Sequence, residues 1–561
     1  MTVVDVVANA LRVEGVEYLM AYPTTPVIDA AARAGVRPVL CRQERVGVGM
    51  ADGYSRVCAH RGYGVFACQF GPGIENSFSG IASAYGDRIP ILILALGNPL
   101  DRRQLRPQFQ AADALRPICK HFESVVRPDD VTAVMRRAFS ALKHSPTGPV
   151  IVELPADVAT MAVGAGTPEH IPIARARSGG DPDAVAAAID RIHTARAPFV
   201  VAGHGVLLAD ATAALIEFVE LYQLPVITTL SGKSAFPERH SLSVGTASVV
   251  ATDPVVATVQ GADLAVVVGS SLSRHFLSLE IPTGIEVIHI TDDARDFHKT
   301  DHAALTLLGD ARLILEQLVT HTQAGGAPRT PRMSITTDLA AAKAASVRGW
   351  EHKLASEERP ITPYRVIRDF MLTFDPDEVI VTHDSGSPRD QLSPWYVCGG
   401  PNSYLGWGKS HALGAGLGLT IGAKLAAPEK LAVHFHGDAA FGMTGLDLET
   451  AVRINAPIIS VVLNNSTMAI ETHSLVDSHR EFGTRDIGGD YVAIATALGV
   501  DARRVEDPAE LQEAFRWAAT ANRAGRSALL EIVTSAETDF INRQAVNSRV
   551  LAAAAPDRAP A

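Results

Sequence analysis

A chain of 561 residues with 47% hydrophobic and 20% charged content is too long for a single hydrophobic core and has the composition of a soluble multidomain protein. Its net charge of −11 argues against a nucleic-acid partner, which asks for a basic face, and its most apolar stretch, residues 412–427, is short, Gly-rich and interrupted by Lys424, so no membrane span is expected. The five cysteines are scattered without a C-x-x-C pair and residues 1–10 lack a signal-peptide pattern, which together predict reduced thiols in a cytoplasmic protein.

Short apolar runs and amphipathic stretches alternate along the chain. In residues 1–166 the pattern predicts strands at 17–22, 37–41, 63–68, 89–96 and 149–154, and helices at 25–34, 43–58, 73–85 and 129–143. The polar stretch 167–181 reads as a linker. Residues 182–321 repeat the alternation, with strands at 198–203, 224–229, 264–270 and 285–290, and a second linker is predicted at 322–331. Residues 360–543 form a third unit with strands at 379–382, 431–435, 457–463 and 528–533, and residues 544–561 read as a C-terminal tail. Alternation of this kind predicts the α/β class, with three doubly wound parallel-sheet domains.

Residues 436–465 carry the most specific signal. A strand, a crossover and a parallel strand bring Asp438 and Asn465, 27 positions apart, to one edge of the sheet, where open α/β sheets bind ligands. A carboxylate and an amide oxygen there begin an octahedral oxygen site for Mg2+ that takes its other ligands from a diphosphate and water. Each residue alone is equally at home in a turn. Glu44 opens the predicted helix 43–58, where the helix dipole favours an acid in any case. Gly71-Pro72-Gly73, followed by Asn76, reads as a strand–turn–helix junction, and Asp384-Ser385-Gly386-Ser387 offers amides and hydroxyls suited to phosphate. His434 and His436 sit in an apolar strand and read as core residues, and no H-E-x-x-H pattern points to zinc. The glycines at 414, 416 and 418 do not follow a strand, which weighs against a nicotinamide-binding Rossmann fingerprint.

Together these motifs resemble the thiamine-diphosphate-dependent enzyme family, in its acetolactate-synthase-like branch, over nearly the whole chain. Gly437-Asp438-Ala439 and Asn464-Asn465 match the family's Gly-Asp-Gly…Asn-Asn motif, with Ala439 in place of the usual Gly. The resemblance implies Mg2+ ligands at Asp438, Asn465 and the Thr467 carbonyl, and a diphosphate site that draws on Gly437, Ala439, Ala440, Met468, Ser385, Gly386 and Ser387. It implies that Glu44 hydrogen-bonds N1′ of the aminopyrimidine and thereby activates C2, that Leu413 props the cofactor's bent shape, and that the His411 carbonyl meets the 4′-amino group. Phe109-Gln110 resembles a segment that presents a glutamine to substrate, which makes Gln110 a catalytic candidate. Glu471, His473 and His479 lie on a stretch that closes over the substrate in relatives, and His473 is the acid–base candidate.

The resemblance further implies aminopyrimidine-binding, central and diphosphate-binding domains, in a homodimer or homotetramer whose site takes Glu44 from one subunit and Asp438 from the other. The implied activity is carbon–carbon cleavage or ligation through a C2 ylid and an enamine, on a 2-oxo acid, a 2-hydroxyacyl thioester or an aldehyde. A simple non-oxidative 2-oxo acid decarboxylase is the alternative. A non-catalytic cofactor-binding relative would be expected to have lost Glu44, Asp438 or Asn465, and all three are present. The central domain could hold FAD, an adenosine nucleotide or nothing, with Asp292 and Asp293 as candidate ribose ligands. Thr24, Thr25, Gln69, Phe70, Gln110 and the stretch after Asn465 depart most from the relatives and are expected to choose the substrate.

Overall fold

The computed structural model describes residues 1–300, 302–325, 335–410 and 412–546; His411, part of the second predicted linker and most of the 544–561 tail lie outside the described residues. The first unit contains β1 (Tyr18–Ala21), β2 (Arg37–Leu40), β3 (Gly64–Cys68), β4 (Ile91–Gly97), β5 (His121–Ser124) and β6 (Val150–Pro155), all parallel, in the order β2-β1-β3-β4-β6-β5. The second contains β7 (Pro198–Ala202), β8 (Val226–Thr229), β9 (Ser243–Ala247), β10 (Leu264–Val268), β11 (Glu286–Thr291) and β12 (Leu305–Leu308), also parallel, ordered β12-β11-β10-β7-β8-β9. The third contains β13 (Val379–His383), β14 (Tyr404–Leu405), β15 (Leu431–Gly437), β16 (Ile459–Asn464), β17 (Asp501–Val505) and β18 (Ala528–Val533), ordered β14-β13-β15-β16-β18-β17.

Both faces of each sheet are covered, as a parallel sheet requires. In β3, Val65 and Ala67 join one core while Phe66 and Cys68 join another on the opposite face. Among the described residues no helix is long and apolar enough to cross a membrane. The stretch 167–181 is free of regular structure and ends at Asp181, which caps the helix Pro182–Thr194. Residues 322–325 of the second predicted linker belong instead to helix Ala311–Gly325: Thr322 is buried, hydrogen-bonded to the Tyr222 hydroxyl, and donates to the Leu318 carbonyl at 2.8 Å, so polar residues there close a helix rather than leave it.

The first and third units meet through two helices, Glu44–Cys58 and Ala415–Ala426, that cross almost backbone to backbone. An ideal Cβ on Gly49 would lie 3.2 Å from Gly418 Cα, and one on Gly53 would lie 2.2 Å from the Leu419 carbonyl oxygen. One helical turn on, the buried Arg56 guanidinium pairs with Asp52 at 2.5 Å and Asp87 at 3.0 Å and donates to the Gly406 carbonyl at 3.1 Å, which ties the first unit to the third. Gly53→Ala is therefore expected to force the crossing apart and to cost about 1–3 kcal/mol, as overpacking does; chemical denaturation of the full chain would measure it. A variant as stable as the parent would show that the crossing is loose.

Candidate active site

Strands β15 and β16 pair in parallel with Gly437 opposite Leu463, so the residues that follow each strand emerge side by side. Asp438 is 2% exposed; its Oδ1 accepts the Ala439 N–H at 2.8 Å and its Oδ2 accepts the Ser466 N–H at 2.7 Å. Asn465 Oδ1 accepts the Thr467 N–H at 3.1 Å, closing a turn around Ser466, which sits at φ +55°. Asp438, Asn465 and Thr467, expected from the sequence to act together, are thus brought together at one sheet edge.

The electrostatics of this edge suit a divalent cation. Among the described residues no Lys, Arg or His pairs with Asp438, and burial pushes its carboxyl pKa up against the lowering effect of its backbone donors. A buried carboxylate without a counter-charge is costly unless a cation neutralises it. Among the described residues no cluster of three or more His, Cys, Asp or Glu could hold an ion unaided. One carboxylate, one amide oxygen and one carbonyl make half an octahedral shell, the kind that Mg2+ completes with phosphate oxygens and water. An ideal Cβ on Gly437 would meet nothing within 4 Å, so the space beside the carboxylate is open.

The neighbouring loop suits a diphosphate. Gly386 takes φ +97° and ψ −155°, a conformation essentially confined to glycine, and starts the helix Ser387–Trp395. Ser385 and Gly386 are partly exposed and Ser387 is buried. Asp384, fully buried, fixes this loop: Oδ1 accepts the Ser385 and Gly414 N–H groups at 2.7 and 2.8 Å, and Oδ2 accepts that of Gly416 at 3.0 Å. Burial raises the Asp384 pKa, but His434, whose Nε2 lies 3.4 Å from Oδ2, and these amide donors together hold it below the usual carboxylate value. Leu413 is only half-buried, in the turn before helix Ala415–Ala426, which leaves part of its side chain available to a ligand.

Other expected contacts are redistributed. The Ala440 side chain is buried inward, so only its backbone could reach a phosphate, whereas Ala439 is half-exposed. The Met468 N–H is committed to the Arg485 carbonyl at 2.9 Å and is not free for a diphosphate. Gln110 caps a short helix, its Nε2 donating to the Gln108 carbonyl at 3.2 Å within its own loop. His473 is exposed, without a partner among the described residues, whereas His479 Nδ1 accepts the Arg485 N–H at 3.4 Å. Thr24 takes φ +75°, unusual for a β-branched residue, in the loop expected to face substrate. Asp293 is buried between Arg88 at 3.0 Å and Arg295 at 2.8 Å, which ion-pairs the central unit to the first, and Asp292 is partly exposed 4.0 Å from Arg88.

Glu44 begins its helix at 4% exposure, and its Oε2 accepts the Asn76 Nδ2–H at 3.2 Å, so the Gly-Pro-Gly turn and its Asn76 orient the carboxylate. Its neighbours reach the third unit of the same chain, the Arg42 N–H donating to Asp447 Oδ1 at 2.8 Å and Arg45 Nη2 to the Met443 carbonyl at 3.1 Å. Asn76 stood in the motif without a role, and Asp384 was read only as part of a turn; partner geometry, absent from a sequence, identifies both as organisers.

Comparison with known proteins agrees with this geometry. Three models of the thiamine pyrophosphate (thiamine diphosphate) enzyme family match: the N-terminal TPP binding domain over residues 1–116, the central domain over 185–318 and the C-terminal TPP binding domain over 384–532. The chain is 28% identical to a probable acetolactate synthase large subunit of Methanococcus aeolicus, covering 92% of this chain and 89% of that one. It is 27% identical to a probable acetolactate synthase large subunit of Methanocaldococcus jannaschii, over 92% and 90% of the two chains. It is also 27% identical to the acetolactate synthase isozyme 3 large subunit of Escherichia coli K12, over 94% of each. With all three domain models matched in order over sheets of the expected kind, the chain belongs to the thiamine pyrophosphate enzyme family.

Proposed function

We propose that this thiamine-pyrophosphate-dependent enzyme of the acetolactate synthase type requires Mg2+ and breaks or forms a carbon–carbon bond beside a carbonyl, as a carboligase or lyase on a 2-oxo acid or 2-hydroxyacyl substrate. The observation that carries this reading is the buried, uncompensated Asp438 beside the Asn465–Thr467 turn. Asp438, Asn465 Oδ1 and the Thr467 carbonyl would hold the metal, the Gly386 and Ser387 amides would hold the diphosphate, since the Ser385 N–H is already committed to Asp384, and Leu413 would support the bent cofactor. When bound, thiamine pyrophosphate supplies a nucleophilic carbon at C2. Glu44 holds the proton at N1′ on which that carbon's reactivity depends, and its burial keeps water from competing for the contact.

The working unit is a homodimer or homotetramer with Glu44 and Asp438 contributed by different subunits. The described cysteines are all free, in keeping with a reducing cytoplasm.

The test is to incubate the Mg2+- and cofactor-loaded enzyme with 2-oxo acids, 2-hydroxyacyl thioesters and aldehydes and to trap products for mass spectrometry. A new or broken carbon–carbon bond in at least one class is expected. Decarboxylation to the free aldehyde alone would make it a simple decarboxylase, and retained cofactor with no turnover on any class would leave a non-catalytic relative.

A further inference from the structure

Behind the metal turn a buried hydrogen-bond chain crosses three strands of the third sheet. Glu531 on β18 is 1% exposed; its Oε1 accepts the Asn464 Nδ2–H at 2.8 Å, and its Oε2 accepts Arg504 Nη2–H from β17 at 3.1 Å. With Nδ2 turned to Glu531, Asn464 aims Oδ1 the other way, where it accepts both the N–H and the hydroxyl of Ser466, at 3.0 and 3.2 Å. The same Ser466 N–H reaches Asp438 Oδ2 at 2.7 Å. Ser466 holds φ +55°, which a non-glycine residue keeps only when its surroundings over-determine it. The Thr534 N–H clamps the Asn464 carbonyl at 2.8 Å, so the backbone there is fixed and the remaining freedom is the orientation of the amide. An asparagine amide has nearly the same shape either way round, and only its partners decide which end is oxygen.

We propose that Glu531 is a positioning residue for the metal site: it fixes the Asn464 amide, and through Ser466 it holds Asp438, Asn465 and the Thr467 carbonyl in the arrangement that Mg2+ and a diphosphate need. Without Glu531 the amide could turn its NH2 toward the Ser466 N–H, two donors would face each other, and the turn carrying Asn465 and Thr467 would open. The proposal rests on the reading of Asp438, Asn465 and Thr467 as the metal site. Partners standing behind metal ligands typically cost about 10–100-fold in affinity when removed.

The experiment titrates Mg2+ by calorimetry into full-length protein saturated with thiamine pyrophosphate, for wild type, Glu531→Leu, Glu531→Gln and Asn464→Ala, with thermal unfolding of each apoprotein alongside. Glu531→Leu is expected to weaken Mg2+ binding by about 10–100-fold. Asn464→Ala, which breaks the chain at its other end, should give a similar loss, and Glu531→Gln, which keeps an oxygen for Asn464 Nδ2, should recover most of it. In the Glu531→Leu/Asn464→Ala double variant the two losses should fail to add, since they interrupt one network. A Glu531→Leu protein that melts earlier but binds Mg2+ as wild type would reduce Glu531 to a structural residue and overturn the proposal; so would a Gln variant as weak as Leu. Should wild type itself fail to bind Mg2+ in the presence of the cofactor, the metal-site reading falls first, an outcome distinct from either.

Discussion

In Glu44→Gln, proton exchange at C2 of bound thiamine pyrophosphate is expected to fall by on the order of 10²–10⁴-fold, the usual contribution of a positioned acid–base group, while folding and cofactor affinity survive. Gln has the shape of Glu and keeps an oxygen that can accept the Asn76 Nδ2–H, so the local contact at 3.2 Å is retained. Glu44 is buried, so a replacement of equal volume disturbs its surroundings least. What Gln cannot do is exchange a proton with N1′ of the aminopyrimidine. The separation between intact binding and lost proton transfer is therefore the signature of the role. Quenched-flow deuteration of the bound cofactor, read by NMR, measures the exchange, and calorimetric titration measures retained binding. An exchange rate equal to wild type would remove Glu44 from the chemistry, and loss of binding along with exchange would make it a structural helix-start acid.

The strands that sequence patterning misses all lie at sheet edges, where only β2 is found. Every interior strand is predicted to within two or three residues, because a strand covered on both faces is a mostly apolar run, as in Leu264–Val268 or Ile91–Gly97. The five missed strands, β5, β9, β12, β14 and β17, are all sheet edges. Arg503 and Arg504 in β17 and Glu123 in β5 face partly to solvent, so these strands carry the charges that protect an edge and lack the apolar signal. The candidate site divides in a similar way. Asp438, Asn465 and Glu44 were legible because motif spacing fixes which residue ends which strand or starts which helix. The second layer was not: Asp384, Asn76 and Glu531 are defined by partners 30 or more positions away, as in the 67 positions that separate Asn464 from Glu531. The family resemblance implies Met468 as a diphosphate contact, but its N–H is taken by the Arg485 carbonyl, a pairing that local sequence does not reveal.

Asp438→Asn is expected to remove the stabilisation that metal and cofactor together give the protein. A ligand that binds only the folded state stabilises it by about 2.7 kcal/mol at a hundredfold excess over its Kd. For wild type, Mg2+ with thiamine pyrophosphate should raise the melting temperature accordingly, because binding neutralises a carboxylate that is 2% exposed and lacks a cationic partner among the described residues. Asn keeps the shape and one acceptor oxygen for the Ala439 N–H, but it brings no charge to the cation and presents NH2 toward the Ser466 N–H, which now donates to Oδ2 at 2.7 Å. Loss of the charged ligand should exceed the roughly 10–100-fold cost of removing an outer partner, enough to bring the ligand-dependent shift close to zero at the same concentrations. Scanning the apoprotein of each variant with and without Mg2+ and cofactor separates this effect from damage to the fold, since the apo transitions serve as the reference. Asp438→Asn protein that still gains the full wild-type shift would mean that the metal, if bound, sits elsewhere. A shift that returns at a much higher Mg2+ concentration would instead show that the lost interaction is metal binding and not a collapse of the β15–β16 edge.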